Sequence, residues 1–350
     1  MKSFFQNGLG RTLLLLLGLG LFIFLFARVG VAAAFEEAKK VGWLFAVIFL
    51  LGGLAHALRA LSWVRLLRLE NPSHGFLRMF RLWLAGEAIS HLSFSWSGET
   101  YRVVAIRKQV ATSLGALAIA LNRLLYVLAS LVVILVGLVL ALTVLDLPAA
   151  LRQGLLSSVL VVAALLLLAP VALHKGAPRR RPATEASESF PHQVAPDSRL
   201  RRAWRSLQES WQVIASRSPG DFASLFGLNL LAALVGVAEI WVILYALDAS
   251  RGFSTPFVVE GFSKVVSGLA YVVPGNIGVA EGGIVLVLQA VKVSAATGLA
   301  LALVRRARAL AWVGVGSLLL LGLGIEKQAA ADSEGLRPAP EKTLSNLPGR

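Results

Sequence analysis

An apolar part of the chain contains the polar, turn-forming run 271–283, YVVPGNIGVAEGG. Pro274 lacks a backbone N–H, and glycines such as Gly275 and Gly278 loosen the backbone, so a continuous helix is disfavoured here. Inside a bilayer, a broken backbone survives only where protein covers it or water reaches it. A carboxylate such as Glu281 is costly at that depth unless it is paired or functional. The run therefore predicts a helix break at an intramembrane site for a polar group.

Other charged residues also lie in or beside apolar sequence. Glu99 and Arg102 are three residues apart, so on a helix they would share a face and could pair. Guanidinium forks bind phosphate oxygens in a bidentate manner, so we expect Arg102, Arg123 and Arg305 to bind phosphate. Glu99 and Glu281 would hold those arginines or an amine of the ligand. The alternative for the arginines is pairing with the glutamates or anchoring at the membrane interface.

Further ionisable residues leave two roles open. Lys264 and Arg59 lie near the ends of apolar segments, where they either line the site or anchor the chain at the interface. His56 and Glu239 lie near the middle of predicted spans, where they either relay protons or form structural hydrogen bonds. The sequence has no cysteine and no HExxH spacing, so we expect no metal site and no cofactor. The glycine-rich run lacks the lysine of a nucleotide-binding loop, so ATP hydrolysis is not expected.

The composition indicates a polytopic membrane protein. Of the 350 residues, 57% are hydrophobic and only 15% are charged, against about 25% charged in soluble domains. The net charge of +15 would suit a nucleic-acid partner. The basic residues instead cluster between apolar segments, as the positive-inside rule expects of cytoplasmic loops. We therefore expect no nucleic-acid partner and no separate soluble enzyme within this sequence.

The apolar segments predict six full membrane spans, at about 12–27, 41–63, 114–145, 154–173, 222–247 and 294–324. Arginines are frequent in 59–81 and 102–108, and 175–221 is a basic loop. The positive-inside rule therefore places these three polar segments on the cytoplasmic side, together with both termini. A signal peptide cleaved after Ala34 is the alternative for the first apolar run.

Two further segments predict re-entrant hairpins. Residues 82–98 are only moderately apolar and have basic residues on both flanks, so they most simply enter and leave on the same face. Residues 253–270 form the second hairpin together with the broken run 271–283. We expect the two hairpins to meet inside the membrane around a polar cavity.

The chain contains an internal repeat. Shifting the sequence by 182 residues places ALAIALNR, which begins at Ala116, on GLALALVR, with five of eight residues identical. The same shift places Glu99 on Glu281 and Arg123 on Arg305. Three predicted crossings, by the second, third and fourth spans, separate the start of the second span from the start of the fifth. Because this number is odd, the halves face opposite sides of the membrane. Such an inverted repeat with interrupted segments is typical of transporters, and chance similarity between Leu/Ala-rich helices is the alternative.

The predicted organisation is therefore one all-α transmembrane domain, 1–327, with an inverted repeat and two re-entrant hairpins. The repeat halves are about 41–145 and 223–327. Between them lies the cytoplasmic loop 175–221. The polar segment 328–350 is expected to be a disordered tail.

Four stretches together resemble a known family. PGNIGVAEGG resembles the PGG-x-G-x-x-E signature of the flippase-like transmembrane region found in lysylphosphatidylglycerol synthases and their stand-alone relatives, including proteins of hopanoid gene clusters. SWSGETYR resembles the P-x-R-x-G-E-x-x-R element of that family. ALRALSWVRLL and ALVRRARAL resemble its arginine-bearing spans. Asn276 replaces a usual glycine, and residues 95–97 lack the proline and arginine of the first element, which leaves the head-group specificity of the first hairpin open.

The resemblance implies a lipid-translocating membrane protein and not an enzyme, because this sequence does not include the aminoacyl-transfer domain of the bifunctional relatives. An anionic or aminoacylated lipid head group would cross the bacterial inner membrane through the polar cavity. The alternatives are an integral-membrane transferase acting on a lipid carrier, or a non-catalytic partner of a lipid or hopanoid synthesis complex. Expected partners are membrane lipids, a second copy of the chain and lipid-synthesis enzymes. The expected substrate-binding residues are Glu99, Arg102, Arg123, Lys264, Pro274, Gly275, Gly278, Glu281 and Arg305.

Overall fold

The computed structural model describes residues 31–68, 75–92, 97–107, 109–145, 148–175, 219–249, 252–269 and 278–335. Within them the chain forms helices and no strand, which confirms the predicted all-α class. The helices are α1 (Val31–Lys39), α2 (Leu44–Arg68), α3 (Phe76–Leu92), α4 (Ser97–Ile106), α5 (Thr112–Val144), α6 (Ala149–Lys175), α7 (Pro219–Ala246), α8 (Ser254–Leu269), α9 (Val279–Ala290) and α10 (Ala295–Gly335).

Three of the described helices are long and apolar enough to cross a membrane: Leu44–Arg68, Leu114–Val144 and Gly220–Ala246. They correspond to the predicted second, third and fifth spans. Helix α6 contains the shorter apolar stretch Arg152–Leu168, where a fourth span was predicted. The first predicted span, 12–27, lies outside the described residues, so the number of six full spans stays a prediction.

Each predicted hairpin corresponds to a pair of helices. The first pair, α3 and α4, covers 76–106, which is wider than the predicted 82–98 because basic Arg78 and Arg81 are also helical. The second pair is α8 and α9, with the run 271–277 between them outside the described residues. Both pairs pack helix against helix, and their re-entry into the membrane stays a prediction.

The segment 29–40, which connects the first two predicted spans, forms helix α1 over most of its length. Ala34 is fully buried and packs with Val285 and Leu299, so small residues at this position permit close packing on α9 and α10. At the other end of the chain, α10 continues to Gly335, past the predicted end of the last apolar segment. The rest of the predicted tail lies outside the described residues.

The two hairpin pairs are exchanged between the halves. Helix α8 packs along α5 of the first half, and α3 packs along α10 of the second half. Glycine allows the first of these crossings, because a Cβ placed on Gly137 would lie 2.5 Å from the carbonyl oxygen of Phe257 and 3.3 Å from the Cα of Gly261. At the second crossing, Gly316 lies against the backbone of Leu84. The halves therefore interlock and do not sit side by side.

Helices α2 and α7 pack against each other and run antiparallel. The Nδ2 of Asn229 donates a hydrogen bond to the Oγ of Ser62 at 2.8 Å, and Arg65, one turn further along α2, donates to Ser224, earlier in α7. Residue numbers rise along α2 in the direction in which they fall along α7, so the two helices point in opposite directions.

Two hydrophobic clusters form the core. One contains the fully buried Ile243 and Leu288 and draws most of its residues from α7 to α10. The other contains Trp63 and Leu125 and draws most of its residues from α2 to α5. Helices from both clusters contribute the polar side chains of the site.

Candidate functional site

A cavity of about 830 Å³ lies among both hairpin pairs and the long helices α5 and α10. It is lined by side chains from α2, α3, α4, α5, α8, α9 and α10. Six of the nine predicted site residues line it: Glu99, Arg102, Arg123, Lys264, Glu281 and Arg305. Residues far apart in sequence thus line one cavity, as expected if the two hairpins meet around a shared polar space. Whether they bind a substrate stays a prediction.

Helix α9 begins at the glycine-rich run. Gly278 has a φ of +80°, in the left-handed region that a side chain disfavours. Its backbone N–H donates a hydrogen bond to the Oε2 of Glu281 at 2.7 Å. The predicted need for glycine at this position therefore has a backbone cause. The other two predicted site residues, Pro274 and Gly275, lie outside the described residues.

In the first hairpin, the predicted pairing of Glu99 with Arg102 is wrong. The Nη2 of Arg102 donates to the Oε1 of Glu87 at 2.7 Å and to the backbone carbonyl of Trp83 at 3.1 Å. Glu99 instead accepts a hydrogen bond from the Nη1 of Arg123 at 2.7 Å. Arg102 turns towards α3 because α4 packs against that helix, where Gly86 leaves room for its side chain.

In the second hairpin, Glu281 pairs with Arg306 and not with Arg305, the residue that the 182-residue shift aligns with Arg123. The Nε of Arg306 donates to the Oε1 of Glu281 at 3.0 Å. Arg305 instead forms an ion pair with Glu260, with 3.1 Å between Nη2 and Oε2. Adjacent residues on an α-helix point about 100° apart, so only one of the two arginines can face α9. Glu281 therefore joins the start of α9 to α10 through both carboxylate oxygens.

A buried ion network continues from Arg305. Lys264 and Arg305 share Glu260, at 3.2 Å and 3.1 Å. Behind them, the Nη1 of Arg308 lies 3.0 Å from the Oε2 of Glu239, and the Nε of Arg305 lies 3.8 Å from its Oε1. The two carboxylates are 1% and 3% exposed as residues, so the cations beside them compensate their desolvation. Glu239, which the sequence places near the middle of a predicted span, thus belongs to an ion network.

Arg59 is held differently from the other cations. Its guanidinium carbon lies 4.3 Å from the ring centroid of Tyr126 and 5.1 Å from that of Trp83. Among the described residues no carboxylate forms an ion pair with it, and its buried Nε has no hydrogen-bond partner. Arg102 lies 3.8 Å from the same Trp83 ring. Arg59 is therefore a cation supported by aromatic faces.

The lining groups carry an excess of positive charge. The cations are Arg59, Arg102, Arg123, Lys264, Arg305 and Arg306, and the carboxylates are Glu87, Glu99, Glu260 and Glu281. Glu239 and Arg308 pair behind them and cancel. The described part of the cavity thus has two more cations than carboxylates. Within the described ranges, no three His, Asp or Glu side chains form a set that could hold a metal ion.

Sequence reasoning missed several of these groups as site residues. Tyr126, Arg306 and Arg308 received no role, although VRRAR carries three arginines in apolar sequence. That density was the available signal, since charges inside apolar spans are costly and usually paired. Glu87 also received no role. Its partner Arg102 is 15 residues away in a different helix, so spacing alone could not identify the pair.

A protein-family model described as the lysylphosphatidylglycerol synthase TM region matches residues 12–316. The match covers most of the chain and includes every residue that lines the cavity. No curated protein and no solved structure gives a significant match.

Proposed function

The chain belongs to the family of lysylphosphatidylglycerol synthase transmembrane regions, and from this premise we propose that it moves a lipid head group between the leaflets of the bacterial inner membrane. The family is associated with lipid handling in membranes. In this proposal the lipid leaves the protein chemically unchanged, and the protein acts as a translocator and not as an enzyme.

The observation that carries the proposal is the cation-rich cavity inside an apolar helical bundle. Its volume of about 830 Å³ falls in the range of about 300–1,000 Å³ typical of small-ligand sites. The two surplus cations favour an anionic ligand, because unpaired charges are costly away from water and an anion would compensate them. A phosphate ester, the group shared by most membrane lipids, has the required charge and hydrogen-bond acceptors.

Part of the cavity wall is apolar. Val127, Leu131, Ile134 and Ile284 line the same space as the charged groups. Val127 is 45% exposed, so this part of α5 also faces outwards. A lipid could therefore place its head group among the cations while its acyl chains stay in the surrounding bilayer, so only the head group requires a polar path.

The helix packing supports an inverted repeat. The contact of α8 with α5 has its counterpart in that of α3 with α10. The contacts of α9 with α10 and of α7 with α5 likewise have counterparts in α4 with α5 and in α2 with α10. Together with the antiparallel α2 and α7, this exchange is the pattern expected from a two-fold axis in the membrane plane. We propose that the two halves alternately open the site to either leaflet, with both termini in the cytoplasm.

Reconstitution into liposomes tests the proposal. Fluorescent phosphatidylglycerol in the inner leaflet should become accessible to an external quencher when the purified protein is present, and mass spectrometry should find the lipid unchanged. A changed lipid mass would support the transferase alternative. If the lipid neither moves nor changes, the protein would instead be a non-catalytic partner.

A matched pair of tryptophan variants tests whether the cavity is the path. Ser130→Trp places a large ring in the cavity lining and should stop translocation. Leu160→Trp changes a side chain that is 70% exposed on α6 and should leave the rate near that of the unchanged protein. Equal rates for both variants would place the path elsewhere.

A further inference from the structure

We propose that Arg59 is the residue that receives the phosphate ester, in a subsite completed by Lys264 and Ser263. This inference rests on the proposed function and assigns its anion-binding step to one cation. It also changes the roles of Arg102, Arg123 and Arg305, which the sequence suggested as phosphate ligands.

The first argument is that the other cations of the cavity already have carboxylate partners. Arg102 is held by Glu87, and Arg123 by Glu99. Arg306 is held by Glu281. A phosphate that bound any of these arginines would compete with a carboxylate for the same positive charge, and the carboxylate depends on that charge for its own compensation. Binding at Arg59 displaces no carboxylate among the described residues.

The second argument is the way in which Arg59 is supported. The rings of Tyr126 and Trp83 lie 4.3 Å and 5.1 Å from its guanidinium carbon. Cation–π contact stabilises the positive charge over the face of the aromatic ring, and the N–H donors of the guanidinium form hydrogen bonds with oxygen acceptors. The rings therefore stabilise the charge without supplying an oxygen acceptor to its donors. The backbone carbonyl of Arg59 also accepts from the Nδ2 of Asn122 at 3.4 Å, which ties this point of α2 to α5.

The third argument is that further donors lie beside the same aromatic ring. The Nζ of Lys264 is 3.3 Å from the hydroxyl of Tyr126 and 5.2 Å from its ring centroid. Arg59 and Lys264 thus approach one ring from α2 and α8. Ser263, next to Lys264 in the chain, lines the cavity, and its buried Oγ has no hydrogen-bond partner among the described residues. A bidentate fork, an ammonium and a hydroxyl suit the several oxygens of a phosphate group.

Binding measurements on the full chain in detergent test this assignment. The probes are dihexanoyl phosphatidylglycerol, glycerol 3-phosphate and dihexanoylglycerol, which lacks phosphate. Arg59→Gln should weaken binding of the phosphate-bearing probe by about tenfold or more, since it removes charge-assisted hydrogen bonds, and should leave dihexanoylglycerol binding unchanged. Arg59→Lys keeps the charge but loses the fork, so it should recover part of the affinity. Arg68→Gln, on the same helix but outside the cavity lining, is the matched control.

The two phosphate-bearing probes identify the source of the phosphate. Tighter Arg59-dependent binding of the lipid indicates a lipid head group, and equal Arg59-dependent binding of glycerol 3-phosphate indicates a soluble phosphate ester. A folded Arg59→Gln variant with unchanged affinity for both probes would overturn the subsite. If Arg59→Gln does not fold, the Arg59→Lys variant decides, because a subsite that needs the fork must lose affinity in it.

Transport separates failure of the subsite from failure of the proposed function. If the unchanged protein binds phosphatidylglycerol through Arg59 but moves no lipid, translocation fails and the subsite stands. If Arg59→Gln moves lipid at the rate of the unchanged protein, the subsite fails and translocation stands.

Discussion

Each of the two predicted repeat halves contains a glutamate–arginine ion pair that joins a hairpin helix to the following long helix, but the surroundings of the two pairs differ. In the first half, the side chains of Glu99 and Arg123 are 31% and 43% exposed. In the second half, those of Glu281 and Arg306 are 5% and 27% exposed. Water screens the first pair and replaces lost partners there, whereas a buried carboxylate depends on its partner. An internal repeat can therefore preserve a pair of residue types while its energetic role changes.

The two predicted halves also differ in the charged residues that their first helices, α2 and α7, contribute to the site. Helix α7 contributes Glu239, which pairs with Arg308. At the repeat position of Glu239, α2 has Ala57 and no carboxylate. Helix α2 instead contributes Arg59, held by aromatic rings. Each half thus contributes one more cation than carboxylates to the site. Only the first half presents a cation without a carboxylate partner among the described residues, Arg59, which we assign to ligand binding.

The largest expected effect concerns the orientation of the chain in the membrane, because the comparison of the two halves assumes that they face opposite sides of the bilayer. The chain has no cysteine, so single-cysteine variants label cleanly. A membrane-impermeant thiol reagent outside intact cells should label Ala149→Cys. The reagent should label Ser187→Cys, in the loop 175–221, only after the membrane is opened. Cysteines placed at either terminus should also be labelled only then. Labelling of Ser187→Cys in intact cells would exclude the inverted arrangement.

The next effect contrasts the two pairs directly. Glu281→Gln should lower the free energy of unfolding by about 3–5 kcal/mol, because it leaves Arg306 beside an uncharged group in a buried place. Glu99→Gln should lower it by no more than about 1 kcal/mol, since its pair is partly exposed. Unfolding of the purified variants in detergent measures both. Equal losses would show that exposure does not distinguish the halves.

Substitution of Gly278 tests whether the backbone conformation is the reason for a glycine in the second hairpin. Gly278→Val should lower the free energy of unfolding by about 1–3 kcal/mol, because valine disfavours the φ of +80° found there, and should reduce translocation. The control is Gly314→Val in α10, where a Cβ would meet nothing within 4 Å. If Gly278→Val is no less stable than Gly314→Val, the glycine is not required by the backbone.

The smallest effect is a coupling energy that distinguishes two adjacent arginines. Glu281→Gln and Arg306→Gln should be non-additive by about 0.5–3 kcal/mol, as expected for side chains in contact. Glu281→Gln and Arg305→Gln should be additive to within about 0.5 kcal/mol, since Arg305 pairs with Glu260 instead. Stronger coupling to Arg305 would restore the register predicted from the 182-residue shift.

The sequence alone determined the membrane class, because 57% hydrophobic and 15% charged residues exclude an ordinary soluble core. It also located three spans and the helix break before α9, since both depend on local properties: apolar length and the backbone limits of proline and glycine. The charged residues of the cavity stood out because charge inside apolar sequence is costly. These inferences require only the residues near each position in the chain.

Only the tertiary structure decided which charges pair. Arg306 and not Arg305 meets Glu281, because helix rotation directs adjacent side chains about 100° apart. Lys264 reaches Tyr126 across 138 residues of sequence, and Arg59 meets its aromatic rings where α2, α3 and α5 come together. Such contacts depend on how helices cross and rotate, which glycines such as Gly137 and Gly261 set by allowing close approach. Which cation of the cavity is left without a carboxylate partner among the described residues is therefore a property of the fold.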